Sequence, residues 1–138
     1  MIERGYADMT ADLFHYGHVN FLRQAKKRCN QLIIGIHNDS AVESYKRTPV
    51  MNMKERIAVV ESCKYVDGVI PDAPVHLTEE YIKNNSIDII FTVDNRSEEE
   101  MKAMYEIPMA MNIMRYIKYT DTISTTEIIK RINNHHVL

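Results

Sequence analysis

The chain has 138 residues, with seventeen Lys and Arg against nineteen Asp and Glu and a formal charge of -2. That length suits one compact domain with its own core, and the near-neutral balance excludes a general nucleic-acid binder with a basic surface. At 45% hydrophobic and 26% charged residues the composition is that of a globular protein, and no apolar run reaches the roughly eighteen residues of a membrane span.

Met1-Ile2-Glu3-Arg4 lacks the apolar core of a secretory leader. Two cysteines, Cys29 and Cys63, cannot build a disulfide framework, so reduced thiols, a cytoplasmic location and no membrane partner are expected. No repeat or linker interrupts the chain, and residues 1–138 are expected to form a single domain.

Tyr6–Met9 reads as a short first strand. Val19, Leu22 and Ala25 recur at helical spacing in a segment that ends near Arg28. Gln31–Ile36 is a continuous apolar run, the pattern of a strand buried on both faces. Asn52–Ser62 reads as a helix with Met53, Ile57 and Val60 on one face, Asn52 as N-cap and Glu55 placed to complete a capping box. Val66–Ile70 is the next strand, stopped by Pro71. Thr78–Asn85 is a helix, Asp88–Val93 a strand, Glu98–Tyr105 a helix and Asn112–Tyr119 a fifth strand. Ser124 opens a last helix, with Glu127 at the capping-box position and Ile128, Ile129 and Ile132 behind it. Strands alternating with helices require crossovers, hence an α/β fold: a doubly wound, Rossmann-like parallel sheet with helices on both faces. Ligands bind such sheets at the carboxyl ends of the strands, here just after Met9, Ile36, Ile70, Val93 and Tyr119.

Asp12-Leu13-Phe14-His15-Tyr16-Gly17-His18 lies at the first of these ends and opens the first helix. His15 and His18 flank Gly17, which permits close backbone approach to a bound group, while a helix N-terminus aims free N–H groups at the same spot. Together they form a donor cluster suited to phosphate oxygens and to transfer chemistry on them. His-x-x-His spacing also occurs at metal sites, but three or four ligands are needed and no acidic or Cys partner stands at a matching spacing, so no protein-held metal is expected.

This segment resembles the His-x-Gly-His signature of the nucleotidyltransferase superfamily, and within it the cytidylyltransferases acting on glycerol phosphate, phosphocholine and phosphoethanolamine. Lys64-Tyr65-Val66-Asp67 is similar to their Arg-Tyr-Val-Asp segment and Ile123-Ser124-Thr125-Thr126 to their Ile-Ser-Thr-Thr segment. Pro49-Val50-Met51, Arg56 and Asp72-Ala73-Pro74 resemble the phosphocholine and phosphoethanolamine members, and the likeness runs from about Met9 to Arg131.

The resemblance implies transfer of CMP from CTP to a small phosphorylated alcohol, of phosphoethanolamine or phosphocholine type, with release of pyrophosphate by direct in-line attack. It implies His15, His18 and Lys46 as the catalytic residues, with Arg47 one position beyond Lys46. It implies Thr10, Asp12, Gly17, Asp39, Arg56, Asp94, Ser124, Thr125 and Thr126 around the nucleotide, a magnesium ion (Mg2+) carried by that nucleotide, and a homodimer. His37, His76, His135 and His136 read as structural, and Met101, Met104, Met109, Met111 and Met114 as core or subunit-interface residues.

The pattern departs from the family at three places. Met9-Thr10-Ala11-Asp12 stands where relatives carry Gly-Thr-Phe-Asp. Val93-Asp94-Asn95 stands where they carry a paired Asp-Asp. Tyr119-Thr120-Asp121-Thr122 replaces Arg-Thr-x-Gly, which leaves Lys118 or Arg115 as the nearby cations. An adenylyltransferase on the same fold, and a nucleotide-binding regulatory relative without turnover, are the two alternatives at this point.

Overall fold

The computed structural model describes residues 2–135. In chain order the elements are β1 (Arg4–Met9), α1 (Tyr16–Lys26), β2 (Gln31–Ile36), α2 (Asp39–Glu43), α3 (Met53–Glu61) and β3 (Gly68–Ile70). They continue with α4 (Glu79–Asn84), β4 (Ile89–Val93), α5 (Glu98–Ala110), β5 (Met114–Ile117) and α6 (Thr125–Asn133). The five strands form one sheet in the order β3-β2-β1-β4-β5, and every pairing is parallel. The chain winds outward from β1 through β2 to β3, then returns to β4 on the other side of β1. That reversal opens a crevice at the carboxyl ends of β1 and β4, the place where a doubly wound sheet accepts its ligand.

Alternation along the strands builds two cores. On one face Ala7, Ile34, Phe91 and Ile117 meet Leu22 and Ala25 of α1 and Val60 of α3. On the other, Tyr6, Ile33 and Ile90 meet Ile82 of α4 and Met101, Met104 and Tyr105 of α5. Each fully buried Leu or Ile, such as Leu22, Ile34 and Ile90, contributes about 1.5–3 kcal/mol. This two-sided burial is why Gln31–Ile36 shows no polar alternation.

Several boundaries differ from the sequence expectation. β1 starts at Arg4, and β3 and β5 are shorter than their apolar runs. The five-residue α2, capped by Asn38, went unanticipated because it is too short to show a period. α5 does not stop at Tyr105. Tyr105 is kinked to φ -128° and ψ 21°, and the helix resumes to Ala110 with Pro108 in the turn after the kink, where a proline is tolerated. Ser97 and Glu100 form a full capping box there. At α6, by contrast, Ser124 accepts from the Glu127 amide without the reciprocal bond. Met101, Met104 and Met114 are core, whereas Met109 and Met111 are exposed. His136 lies outside the described residues.

Candidate functional site

The carboxyl ends of β1, β2, β4 and β5 border one cavity of about 470 Å³. From the sequence expectation, Thr10, Asp12, His15, Gly17, His18, Lys46, Arg47 and Ser124–Thr126 all line it. The end of β3 contributes nothing until Val75.

The two histidines are held by an unusual cap. His15 is the N-cap of α1: its Nδ1 accepts from the Gly17 amide at 3.0 Å, while its own amide donates to Nδ1 of His18 at 3.1 Å. Both Nδ1 atoms are therefore acceptors, so in the neutral rings Nε2 carries the proton and is free to donate. Burial, then the neighbouring His15 and Lys46, lowers the His18 pKa to about 3, against an opposing pull from Asp12. Burial lowers that of His15 as well. The pair thus presents two neutral N–H donors, with ring centroids 4.0 Å apart and Phe14 stacked on His18 at 5.3 Å. A Cβ at Gly17 would lie 2.8 Å from Cε1 of His15, so any larger residue there displaces the imidazole.

The loop before this helix is shaped by its own bonds. The two Asp12 oxygens accept from the Val50 and Met51 amides at 2.8 and 2.9 Å. Ala11 and Leu13 on either side adopt φ of 59° and 49°, a left-handed conformation that costs energy in any residue with a Cβ. Thr125 Oγ1 donates to the Asp12 carbonyl at 3.0 Å, which joins α6 to this loop. That bond uses the Thr125 hydroxyl proton, whereas the Thr125 and Thr126 amides in the first turn of α6 donate to no group among the described residues, and both residues line the cavity. A helix N-terminus of this kind suits a polyphosphate.

Lys46 follows α2, its amide bonded to the Val42 carbonyl at 2.9 Å. Desolvation and the cations Arg47, Arg96 and Arg56 lower its pKa, against a pull upward from Asp12. A chain of hydrogen bonds leads from the buried Tyr105 and Asp8 out to the half-exposed Tyr45. Tyr105 donates to Asp8 at 2.6 Å, Asp8 bonds His37 Nε2 at 3.2 Å, His37 Nδ1 bonds the Tyr45 hydroxyl at 2.9 Å, and that hydroxyl bonds Thr10 at 3.0 Å. His37 is therefore part of the cavity floor. Its neighbours in sequence carry no sign of this, because its partners lie 8 and 29 residues away.

Three expected ligands are placed elsewhere. Arg56 is fully buried. Its guanidinium donates to the carbonyls of Met51, Thr10 and His37 and pairs with Asp39. The favourable site for this cation is a ring of carbonyls, and neither Arg56 nor Asp39 lines the cavity. Asp94 is exposed, and its carboxylate accepts from the Tyr119 amide, bracing the loop after β5. Of the two candidate replacements for the missing arginine, Lys118 lines the cavity, whereas Arg115 donates to the carbonyls of Asn112 and Met114. Arg96, from the loop between β4 and α5, also lines the cavity and was not singled out by the sequence. Asp67 of the Lys64–Asp67 motif joins α1 to β2 through Lys26 and the Leu32 amide, at the opposite end of the sheet.

A parallel doubly wound sheet with paired imidazoles, a lysine and a helix N-terminus around one cavity makes an α/β domain whose site gathers donors suited to an anion. Comparison with known proteins assigns it more closely. A cytidylyltransferase-like family profile matches residues 6–131, and the chain belongs to that family. It is 38% identical over 130 residues to an ethanolamine-phosphate cytidylyltransferase of Dictyostelium discoideum, covering 94% of this chain and 36% of the relative. It is 37% identical over 134 residues to choline-phosphate cytidylyltransferase 2 of Arabidopsis thaliana, covering 94% of this chain and 44% of the relative. The chain thus spans about two fifths of the length of these curated relatives. Among solved structures, a lipopolysaccharide core biosynthesis protein of Thermoplasma volcanium superposes with a TM-score of 0.70 at 20% identity, over 87% of this chain and 98% of that one. Pantothenate synthetase of Thermus thermophilus superposes at 0.55 with 10% identity, over 84% and 55%. These two likenesses concern the fold. No helix among the described residues is long and apolar enough to cross a membrane.

Proposed function

We propose that the chain is a cytidylyltransferase domain that transfers CMP from CTP to phosphoethanolamine or phosphocholine. The observation that carries this reading is the convergence of His15, His18, Lys46 and the α6 N-terminus on one cavity in a chain 38% identical to an ethanolamine-phosphate cytidylyltransferase.

The acceptor phosphate, largely dianionic at neutral pH because its second pKa is about 6, needs no strong base. One of its oxygens attacks the α-phosphorus in line. The new P–O bond forms as the bond to the β-phosphate breaks, and pyrophosphate leaves with the electron pair. No enzyme nucleophile is required, and acceleration comes from orientation and charge stabilisation. His15 and His18 donate Nε2–H to α- and β-phosphate oxygens, Lys46 neutralises charge between acceptor and nucleotide, and the Thr125 and Thr126 amides hold the triphosphate tail. Among the described residues no group of three or more His, Cys, Asp or Glu is arranged to hold a metal. The Asp8, Asp12 and Glu100 carboxylates that line the cavity are already bonded within the protein. In this reading magnesium enters with CTP, as part of the substrate.

The test is pyrophosphate release with CTP or ATP against phosphoethanolamine, phosphocholine and glycerol phosphate. Turnover with CTP and an amino-alcohol phosphate supports the reading, preference for ATP replaces the base, and CTP binding without turnover marks a regulatory domain. We propose further that the domain acts as a cytoplasmic homodimer, with exposed Met109 and Met111 as contact candidates. Light scattering tests the dimer, and cell fractionation the location.

A further inference from the structure

Arg96 is a cation in the cavity with no part in the mechanism above. Its position is fixed from three sides. Nε donates to Thr92 Oγ1 at 2.9 Å, Nη1 donates to Glu100 at 3.3 Å, and the guanidinium lies 6.0 Å from the centre of the buried Tyr105 ring. Thr92 and Tyr105 are themselves buried, so two of these supports are rigid, and the Arg96 side chain is 26% exposed. Nη2 bonds no group among the described residues. An arginine clamped on one edge and open on the other, at a cavity wall, is the geometry of an anion ligand.

Its place in the cavity selects which anion. Residues lining the cavity form two ends. His15, His18 and Ser124–Thr126 belong to the N-termini of α1 and α6, whereas Arg96 lies with Asp8, Tyr45, Val75 and Met104, over β1, β2 and α5. Lys46 lines the same cavity, with its ammonium 5.6 Å from the centre of the Tyr45 ring. In the proposed reading the triphosphate takes the helix N-termini, which leaves the Arg96 end for the second substrate. Of the carboxylates lining that end, Glu100 pairs only with the Nη1 edge of Arg96, at 3.3 Å and half exposed, and Asp8 is held by Tyr105 and His37, so the Nη2 edge stays open.

We infer that Arg96, with Lys46, grips the phosphate of the acceptor, and that its free Nη2 edge makes it a specificity-determining residue for a phosphomonoester over the corresponding alcohol. The inference rests on the proposed transferase reading. It also explains how a site lacking the family arginine at Tyr119 still gathers positive charge, although at the acceptor end and not on the triphosphate tail.

The experiment compares wild type with Arg96→Gln and Arg96→Lys in steady-state turnover, alongside calorimetric binding of CTP and of phosphoethanolamine. Gln keeps the bond to Thr92 and loses the charge. Lys keeps the charge and loses the fork. Loss of one charged hydrogen-bonding group weakens binding by about 10- to 100-fold. The acceptor KM should rise by that factor in Arg96→Gln, and by less in Arg96→Lys, with the KM for CTP and the melting temperature unchanged. Exposed Lys83, paired with Glu79, supplies a charge control: Lys83→Gln should change neither constant. An unchanged acceptor KM in Arg96→Gln, or a rise confined to CTP, overturns the inference. If the wild type shows no turnover, the transferase reading fails, and the calorimetric arm decides by itself. A 10-fold weaker phosphoethanolamine affinity in Arg96→Gln supports the grip, and equal affinity, or no binding by wild type, refutes it.

Discussion

Replacing Arg56 separates a phosphate ligand from a structural tie. In Arg56→Met the side chain keeps a similar apolar stem but loses every donor. Three carbonyls then lose their guanidinium partner: Met51 at 3.1 Å, Thr10 at 2.8 Å and His37 at 2.7 Å. Asp39, about half exposed, falls back on water, and a pair of that exposure adds little. Each bond to a charged donor is worth about 1.5–3 kcal/mol, and orphaning a buried acceptor costs about as much. The three share one side chain and are not additive, so a loss of about 3–5 kcal/mol is expected, the range for breaking a buried ionic network. For a domain of this size that lowers Tm by roughly 10–20 °C. Arg56→Lys should fall between, since one ammonium can reach only some of the carbonyls. Urea unfolding followed by circular dichroism measures this directly, the chain having no tryptophan. Calorimetry on the folded variants then reads CTP affinity, which should stay within about threefold of wild type, the 0.5–1 kcal/mol scale of an indirect effect. Unchanged stability with a 10-fold or greater loss of CTP affinity would refute the reasoning and return Arg56 to the phosphates.

Other expectations are more local. His18→Asn should lower turnover by about 10²–10³, the value of one transition-state donor, without unfolding the chain, as pyrophosphate release and circular dichroism would show. The same variant should flatten the acid dependence of stability. The native His18 stays neutral down to about pH 3 while the unfolded ring protonates near 6.5. The unfolded state therefore binds more protons between those values, and wild-type stability falls as pH drops through that window. Urea midpoints at pH 7 and pH 4.5 should differ more for wild type than for His18→Asn, and equal differences would contradict the assigned burial. Lys46→Met should abolish most turnover yet leave the urea midpoint unchanged or raised, because the native site disfavours the charged ammonium. Ala11→Val places a β-branched residue at φ 59° and should cost about 2 kcal/mol, whereas Ala11→Gly should change stability by under about 1 kcal/mol, with denaturation curves as the check.

Much of the scaffold was legible because its causes are local or periodic. Gln31–Ile36 reads as a buried strand from its apolar run alone, and Asn52 with Glu55 forms the capping box its spacing implies. His15, Gly17 and His18 could be picked out because a glycine between two imidazoles at a strand end is uncommon outside a binding loop. The α2 helix and the second half of α5 were missed for the opposite reason. Five residues carry no measurable period, and Pro108 looks like a stop until the kink at Tyr105 restarts the helix ahead of it.

What the sequence by itself determined is therefore the alternation of strands with most of the helices, the parallel α/β class and the strand-to-helix loop at His15–His18, all set by residues within a few positions of each other. Tertiary structure alone decided the role of each charge. Arg56 looked free at the start of a helix, yet folding surrounds it with carbonyls from residues up to 46 positions away. His37 looked incidental, yet folding places it between Asp8 and Tyr45. Arg96 had no motif, yet the β4–α5 loop delivers it to the cavity wall. The energy of a charge depends on the dielectric and partners around it, and those come from distant parts of the chain that only the closed sheet brings together.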